Sequence, residues 1–116
     1  MMVTLCRAKI HRATITEANL EYEGSITIDR ALMDAVGLFP FEKVAVVNIN
    51  TGSRLETYVI EGPADSGTIC LNGAAARLGA PGDKVIIIAY GHFHTDEAQG
   101  FKPHVIRVDN NNRVVN

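Results

Sequence analysis

Glycine followed by serine, at Gly24-Ser25 within Tyr22-Glu23-Gly24-Ser25-Ile26, forms a peptide bond that can rearrange. The serine hydroxyl can attack the preceding carbonyl, and glycine has no side chain to obstruct that attack or the strained turn it needs. The ester produced by this N-to-O acyl shift can eliminate to dehydroalanine, and hydrolysis then leaves a pyruvoyl group at position 25. Gly-Ser is also a common turn dipeptide, so a plain hairpin turn stands as the alternative.

Other residues could serve such a carbonyl group. Lys9 and His11 lie two apart in an extended segment and project from one face, where two cations could attract a dicarboxylate; a solvated strand face is the bland option. Alternation puts Arg54, Glu56 and Tyr58 on one face, opposite Leu55, Thr57 and Val59. Arg54 could clamp a carboxylate and Tyr58 could transfer a proton. Asn72-Gly73-Ala74-Ala75-Ala76 opens a helix with residues too small to crowd a ligand, although it could equally be a capped, tightly packed helix start. His92 and His94 flank Phe93 ahead of Asp96-Glu97, but a metal site would need more ligands at defined geometry, so none is assigned.

These residues must be held mostly by strands. Short β-branched runs cover Leu5 to Ile15, Ser25 to Ile28, Val44 to Ile49, Arg54 to Ile60, Thr68 to Leu71 and Lys84 to Ala89, and Asn50-Thr51-Gly52-Ser53 reads as a hairpin connection. Two short helices interrupt them. Asp29 is expected to cap the first, which Gly37 ends, and Asn72 to cap Ala74 to Leu78, with Gly79 as the stop. The resulting strand-helix-strand units match at an offset of about 42 residues. Two copies are too few for a solenoid, whereas a closed six- or seven-stranded barrel with a pseudo-twofold axis removes every exposed edge.

At 116 residues and 47% apolar, the chain is read as a single domain spanning 1–116. The formal charge of −2, with scattered Lys and Arg, argues against nucleic acid as a partner. Its apolar runs are too short for a membrane span and its start lacks the apolar stretch of a signal peptide, so the expected location is the cytoplasm. Cys6 and Cys70 have no metal-ligand spacing and read as small core residues. Residues 108–116, with Asp109-Asn110-Asn111-Asn112-Arg113, are polar, lack periodicity and are expected to be mobile.

Lys9-Ile10-His11-Arg12, Tyr22-Glu23-Gly24-Ser25, Arg54 with Thr57-Tyr58, Asn72-Gly73-Ala74-Ala75-Ala76 and Val85-Ile86-Ile87 together resemble the bacterial aspartate 1-decarboxylases in order and spacing, over roughly residues 3–106. The resemblance implies a mainly β fold, the double-psi β-barrel, in agreement with the two-unit repeat. It implies a zymogen that cleaves itself autocatalytically into a β chain, 1–24, and an α chain, 25–116, with a covalently bound pyruvoyl group formed from Ser25 and neither metal nor pyridoxal phosphate. The reaction it implies is that of a lyase: decarboxylation of L-aspartate to β-alanine and CO2 through a Schiff base, for pantothenate and coenzyme A biosynthesis. A homotetramer with active sites between subunits is implied as well, and the need for a maturation factor is left open. Carried over by motif, Ser25 and Tyr58 are catalytic, and Gly24, Ser25 and Thr57 take part in processing. Lys9, His11, Arg54, Thr57, Asn72, Gly73, Ala74, Ala75 and Ile86 contact substrate.

Differential binding favours Arg54 on the carboxylate that stays, since a clamp on the leaving one would oppose its departure. Strict alternation sends Thr57 to the face opposite Tyr58 and Arg54. Either a bulge bends that strand or the site gathers residues from different subunits. Ile26 and Val47 stand where some family members carry Cys and Trp. The competing reading is an uncleaved, non-enzymatic double-psi barrel acting as a binding module.

Overall fold

Alternation of apolar and polar residues sets the architecture, described for residues 1–115 by a computed structural model. In β1 (Met2–Thr14), Ala8, Ile10 and Ala13 are buried while Lys9 and His11 face outward. β4 (Lys43–Asn48) and β7 (Lys84–His94) repeat the pattern, burying Val44 and Val46, and Val85, Ile87 and Ala89. Ile26 and Ile28 of β3 (Ser25–Asp29), Val59 of β5 (Arg54–Gly62) and Ile69 and Leu71 of β6 (Ile69–Asn72) complete the core. Each buried Val, Leu or Ile among them is worth about 1.5–3 kcal/mol of burial, so a one-residue slip, which would turn them all outward, is strongly disfavoured.

The strands pair in the order β2-β6-β3-β5-β4-β7-β1-β8-β9, with β2 at Glu17–Asn19, β8 at His104–Val108 and β9 at Val114–Val115. Equivalent strands of the two repeats pair antiparallel: β3 with β6, and β4 with β7. The two long strands also correspond. β5 pairs antiparallel with β4 over Arg54–Tyr58 and then parallel with β3 from Val59, while β1 pairs antiparallel with β7 before its continuation β2 runs parallel to β6. The hydrogen-bonded ladder is therefore open, but the chain itself completes a six-stranded circuit as it passes from β1 into β2. At that crossing, Ile15 N–H donates to the Asp83 carbonyl and Thr16 N–H to the Ile69 carbonyl. This is the barrel-like, pseudo-twofold arrangement expected of a double-psi fold, with β8 and β9 added outside the circuit.

Helix α1 (Arg30–Val36) forms as expected. The buried Asp29 carboxylate accepts from Ala31 N–H at 2.8 Å, and Gly37 ends the helix at φ +78°. The same carboxylate accepts from the N–H groups of Asp65 at 2.9 Å and Gly67 at 2.8 Å, tying the loop between β5 and β6 to the helix start.

The second helix differs from expectation. Gly73–Leu78 is a 3-10 helix, the Asn72 side chain does not cap it, and Gly79 leaves it in extended backbone rather than the left-handed region. Gly79 packs closely on the core, and a Cβ there would lie 2.7 Å from the side-chain ends Ile15 Cδ1 and Leu71 Cδ1, which would have to shift. A third helix, α2 (Thr95–Ala98), was not foreseen. Within the described part of the C-terminal segment, 108–115, one residue is tied to the barrel. Asn112 is buried, accepts from Thr14 N–H at 2.8 Å, and donates to the carbonyls of Thr14 at 2.8 Å and Gly67 at 2.7 Å. Asn116 lies outside the described residues.

Candidate functional site

Ser25 opens β3, and the chain passes from exposed Gly24 to a serine only 1% exposed. The Ser25 hydroxyl donates to the Glu23 carbonyl at 2.9 Å. That bond curls the side chain back across the Gly24 peptide, the direction in which Oγ must move to reach the Gly24 carbonyl carbon. Asn72, directly opposite Ser25 in the antiparallel β3–β6 pair, donates from Nδ2 to Ser25 Oγ at 3.0 Å and to Thr27 Oγ1 at 2.9 Å. With Asn72 2% exposed, its amide is committed to these partners and is unavailable to the helix that follows.

The backbone of the scissile segment is seated by Gly73. At φ +66°, a Cβ on Gly73 would lie 2.7 Å from Gly24 N, 2.8 Å from Gly24 Cα and 3.0 Å from the Tyr22 carbonyl oxygen. Only a residue without a side chain lets the Tyr22–Gly24 loop lie there. A Cβ on Gly24 itself would meet nothing within 4 Å, so static packing does not dictate glycine at 24.

A cavity of about 390 Å³ opens beside this bond, lined by Gly24, Leu55, Glu56, Thr57, Tyr58, Ala74, Ala75 and Leu78. It brings together Gly24, Thr57, Tyr58, Ala74 and Ala75 from the residues singled out in the sequence, while Ser25, Asn72 and Gly73 are buried next to them in the chain and do not line it. The difficulty over Thr57 and Tyr58 resolves without a bulge. The register of β5 with β4 runs unbroken from Tyr58↔Lys43 to Arg54↔Val47. Over those residues β5 has no partner on its other side among the described residues, because β3 joins only at Val59↔Ile26. A strand with a free edge presents side chains from both faces to the gap. Continued one and two residues back from that first bonded pair, the parallel register sets Ser25 level with Tyr58 and Gly24 level with Thr57.

Remaining candidates stand elsewhere in the chain. Arg54 borders a neighbouring cavity with Ala45, Leu55, Glu56 and Tyr90. Ile86 pairs with Val47, which pairs with Arg54, so the two share a cross-strand row on the outer face. Lys9 is opposite Ile88, Ile88 opposite Ala45, and Ala45 opposite Glu56. Three strand spacings, about 14 Å, thus separate Lys9 from the cavity-lining strand. His11 lies beside Lys9 on that outer face, opposite Arg107 of β8. Its Nδ1 is buried with no hydrogen-bond partner among the described residues. Burial, followed by the charges of Arg107, Lys9 and Arg12, pushes the His11 imidazole below its ordinary range, so the ring favours its neutral form.

Two residues were given no part in the site from sequence. Glu56 enters the cavity wall, where an ion pair with Lys43 at 3.2 Å offsets its charge. Cys70 lies in the Asn72 network, donating from Sγ to Asn72 Oδ1 at 3.1 Å. Alternation already set Glu56 on the face of Arg54 and Tyr58, but without a role, and Cys70 lies two residues from Asn72 along β6, where its part shows only once Ser25 and Thr27 are seen across the pair. His92 Nδ1 meets Thr4 Oγ1 at 3.1 Å, and His94 N–H is accepted by Glu97 at 3.0 Å. Among the described residues, no three His, Cys, Asp or Glu side chains converge as metal ligands. No described helix is long and apolar enough to cross a membrane.

Residues 1–115 match the family model described as aspartate decarboxylase. The chain is 59% identical over 114 residues to the aspartate 1-decarboxylase of Leptospira biflexa, covering 97% of each chain. It is 60% identical to that of Salinibacter ruber, covering 98% of this chain and 78% of that one. With the enzyme of Acetivibrio thermocellus the identity is 59% over 116 residues, covering all of this chain and 92% of the other.

Proposed function

Because the chain belongs to the aspartate decarboxylase family, we propose that it removes one carboxylate of L-aspartate as CO2, releasing β-alanine, by means of a pyruvoyl group made from its own Ser25. The observation that carries this reading is the buried Ser25, curled over the Gly24 peptide, held by Asn72 and standing beside a cavity lined by Thr57 and Tyr58.

In processing, the bond from Ser25 Oγ to the Gly24 carbonyl carbon forms as the Gly24–Ser25 C–N bond breaks, and the hydroxyl proton passes to the Ser25 nitrogen. Thr57, level with Gly24, is positioned to donate to the carbonyl oxygen as negative charge develops there. Loss of the Ser25 Cα proton with departure of the Gly24 carboxylate leaves dehydroalanine, and water then replaces its nitrogen, which leaves as ammonia. The residues present fit the product, because a cavity opens at Gly24, next to position 25, and its walls at Ala74 and Ala75 are small.

A pyruvoyl group there supplies a ketone to condense with the substrate amine and an electron sink for the pair released with CO2. Tyr58, level with position 25, donates the proton that replaces the lost carboxylate at the α carbon. Arg54, four residues along the same face, lies about 13 Å from Tyr58 at ~3.3 Å per residue, a gap spanned by an extended guanidinium and a four-carbon diacid. It holds the carboxylate that remains, so the clamp does not stabilise the leaving group.

Lys9 and His11 are assigned to the cavity of a second copy. Their separation from Gly24 within one chain, the unpartnered His11 Nδ1, and the half-buried Ile86, Ile88, Ala45 and Val47 between them and Arg54 all support a homotetramer with shared sites. The reaction is placed in pantothenate and coenzyme A biosynthesis in the cytoplasm, as the family resemblance implies. The test is CO2 and β-alanine release from L-aspartate by the wild-type chain and by Ser25→Ala. The variant is expected to be uncleaved and inactive, and β-alanine formation by it would overturn the role of Ser25. Aspartate binding without CO2 release by a wild-type chain that stays whole would select the uncleaved binding module instead.

A further inference from the structure

The outer face of the β3–β6 pair carries four polar side chains in a square: Ser25 opposite Asn72, and Thr27 opposite Cys70. This face is turned away from the apolar core, yet Ser25, Asn72 and Cys70 are 1%, 2% and 5% exposed. Hydrogen bonds run through it in one sense. Cys70 Sγ–H donates to Asn72 Oδ1 at 3.1 Å, and Asn72 Nδ2 donates onward to Ser25 Oγ at 3.0 Å and Thr27 Oγ1 at 2.9 Å. A primary amide can be rotated by half a turn with little change in shape, and only its neighbours determine which end faces which.

We propose that Cys70 is a positioning residue for self-processing: its thiol proton fixes the Asn72 amide with the oxygen toward β6 and the nitrogen toward Ser25. Held that way, Asn72 occupies a Ser25 lone pair and leaves the hydroxyl proton to the Glu23 carbonyl, which keeps Oγ over the Gly24 peptide. In the rotated amide, Oδ1 faces Ser25 and takes the hydroxyl proton, releasing the bond to Glu23 and swinging Oγ away. Burial, with the Glu17 carboxylate adding to it, pushes the Cys70 thiol up, which keeps the donor proton in place. The inference rests on the reading of Ser25 as the cleavage residue.

The experiment follows the break after Gly24 in the full chain by intact mass against time. Cys70→Ser, which retains a donor of similar size, is expected to cleave within twofold of wild type. Cys70→Ala should be slowed about three- to tenfold, the change that an ordinary hydrogen bond makes in a rate. Because the effect passes through Asn72, Cys70→Ala combined with Asn72→Ala should be no slower than Asn72→Ala alone. Equal rates for Cys70→Ala and wild type, or additive losses in the double variant, overturn the proposal while leaving the role of Ser25 standing. A wild-type chain that never breaks overturns both. Infrared spectroscopy of the S–H stretch gives a reading independent of core truncation: the Cys70 band is expected at lower frequency in wild type than in Asn72→Ala, and an unshifted band counts against the bond.

Discussion

Adding a single methyl group at Gly73 tests how the scissile loop is seated. In Gly73→Ala the new Cβ meets three backbone atoms at 2.7, 2.8 and 3.0 Å, none of which can swing aside as a flexible side chain would. Left-handed backbone at φ +66° costs a non-glycine residue about 1–2 kcal/mol. Overpacking adds about 1–3 kcal/mol, so the substitution is expected to cost roughly 2–5 kcal/mol in total. Gly52 is the control, with φ +78° and nothing within 4 Å of a Cβ, so Gly52→Ala is expected to lose only the backbone cost of about 1–2 kcal/mol. Urea unfolding at fixed protein concentration measures both losses. Intact-mass kinetics supply the second readout: displacement of Tyr22–Gly24 should slow the break after Gly24 at least tenfold in Gly73→Ala and leave Gly52→Ala near wild type. Equal destabilisation with equal cleavage rates would refute the seating argument.

Asp29→Ala removes the acceptor of three N–H groups, the buried one of Gly67 and the part-buried ones of Ala31 and Asp65, and should destabilise the fold by about 2–3 kcal/mol in denaturant unfolding. Asn112→Ala breaks the link between β1 and the Gly67 loop and is expected to cost about 2–4 kcal/mol by the same measurement. Glu42→Gln weakens a forked Arg7 ion pair in which the carboxylate also accepts from Phe39 N–H at 3.0 Å, with an expected loss of about 1 kcal/mol. His11 should titrate below the ordinary imidazole range in an NMR titration. Since the unfolded chain then binds a proton that the folded chain refuses, His11 lowers stability as pH falls from the ordinary imidazole value toward the folded one, and His11→Gln should remove that part of the acid sensitivity.

Much of the barrel was legible because period-two burial is a local signal. Val44 and Val46, and Val85 and Ile87, mark their strands unaided, and the matching units around Gly37 and Gly79 imposed a twofold pairing that β3–β6 and β4–β7 display. The same alternation placed Lys9 and His11 on one face. Asn72 was misread because an asparagine ahead of small residues looks the same whether its amide caps the next turn or crosses to a residue 47 positions away. The C-terminal segment misled for a related reason. Asn110-Asn111-Asn112 is polar enough to read as solvated, yet Asn112 spends its polar atoms on backbone groups exposed by the end of β1, 98 residues distant. Thr57 and Tyr58 posed a conflict that only topology resolves, since a strand that changes partners at Val59 leaves an open edge that no alternation rule anticipates.

The most direct test of the central claim is the intact mass of the purified wild-type chain. Self-processing predicts two polypeptides, residues 1–24 and residues 25–116, with the larger one lighter by one ammonia than simple hydrolysis would leave it and lacking a free α-amino group. A single 116-residue chain with an unmodified serine at position 25, inert toward L-aspartate, would contradict it.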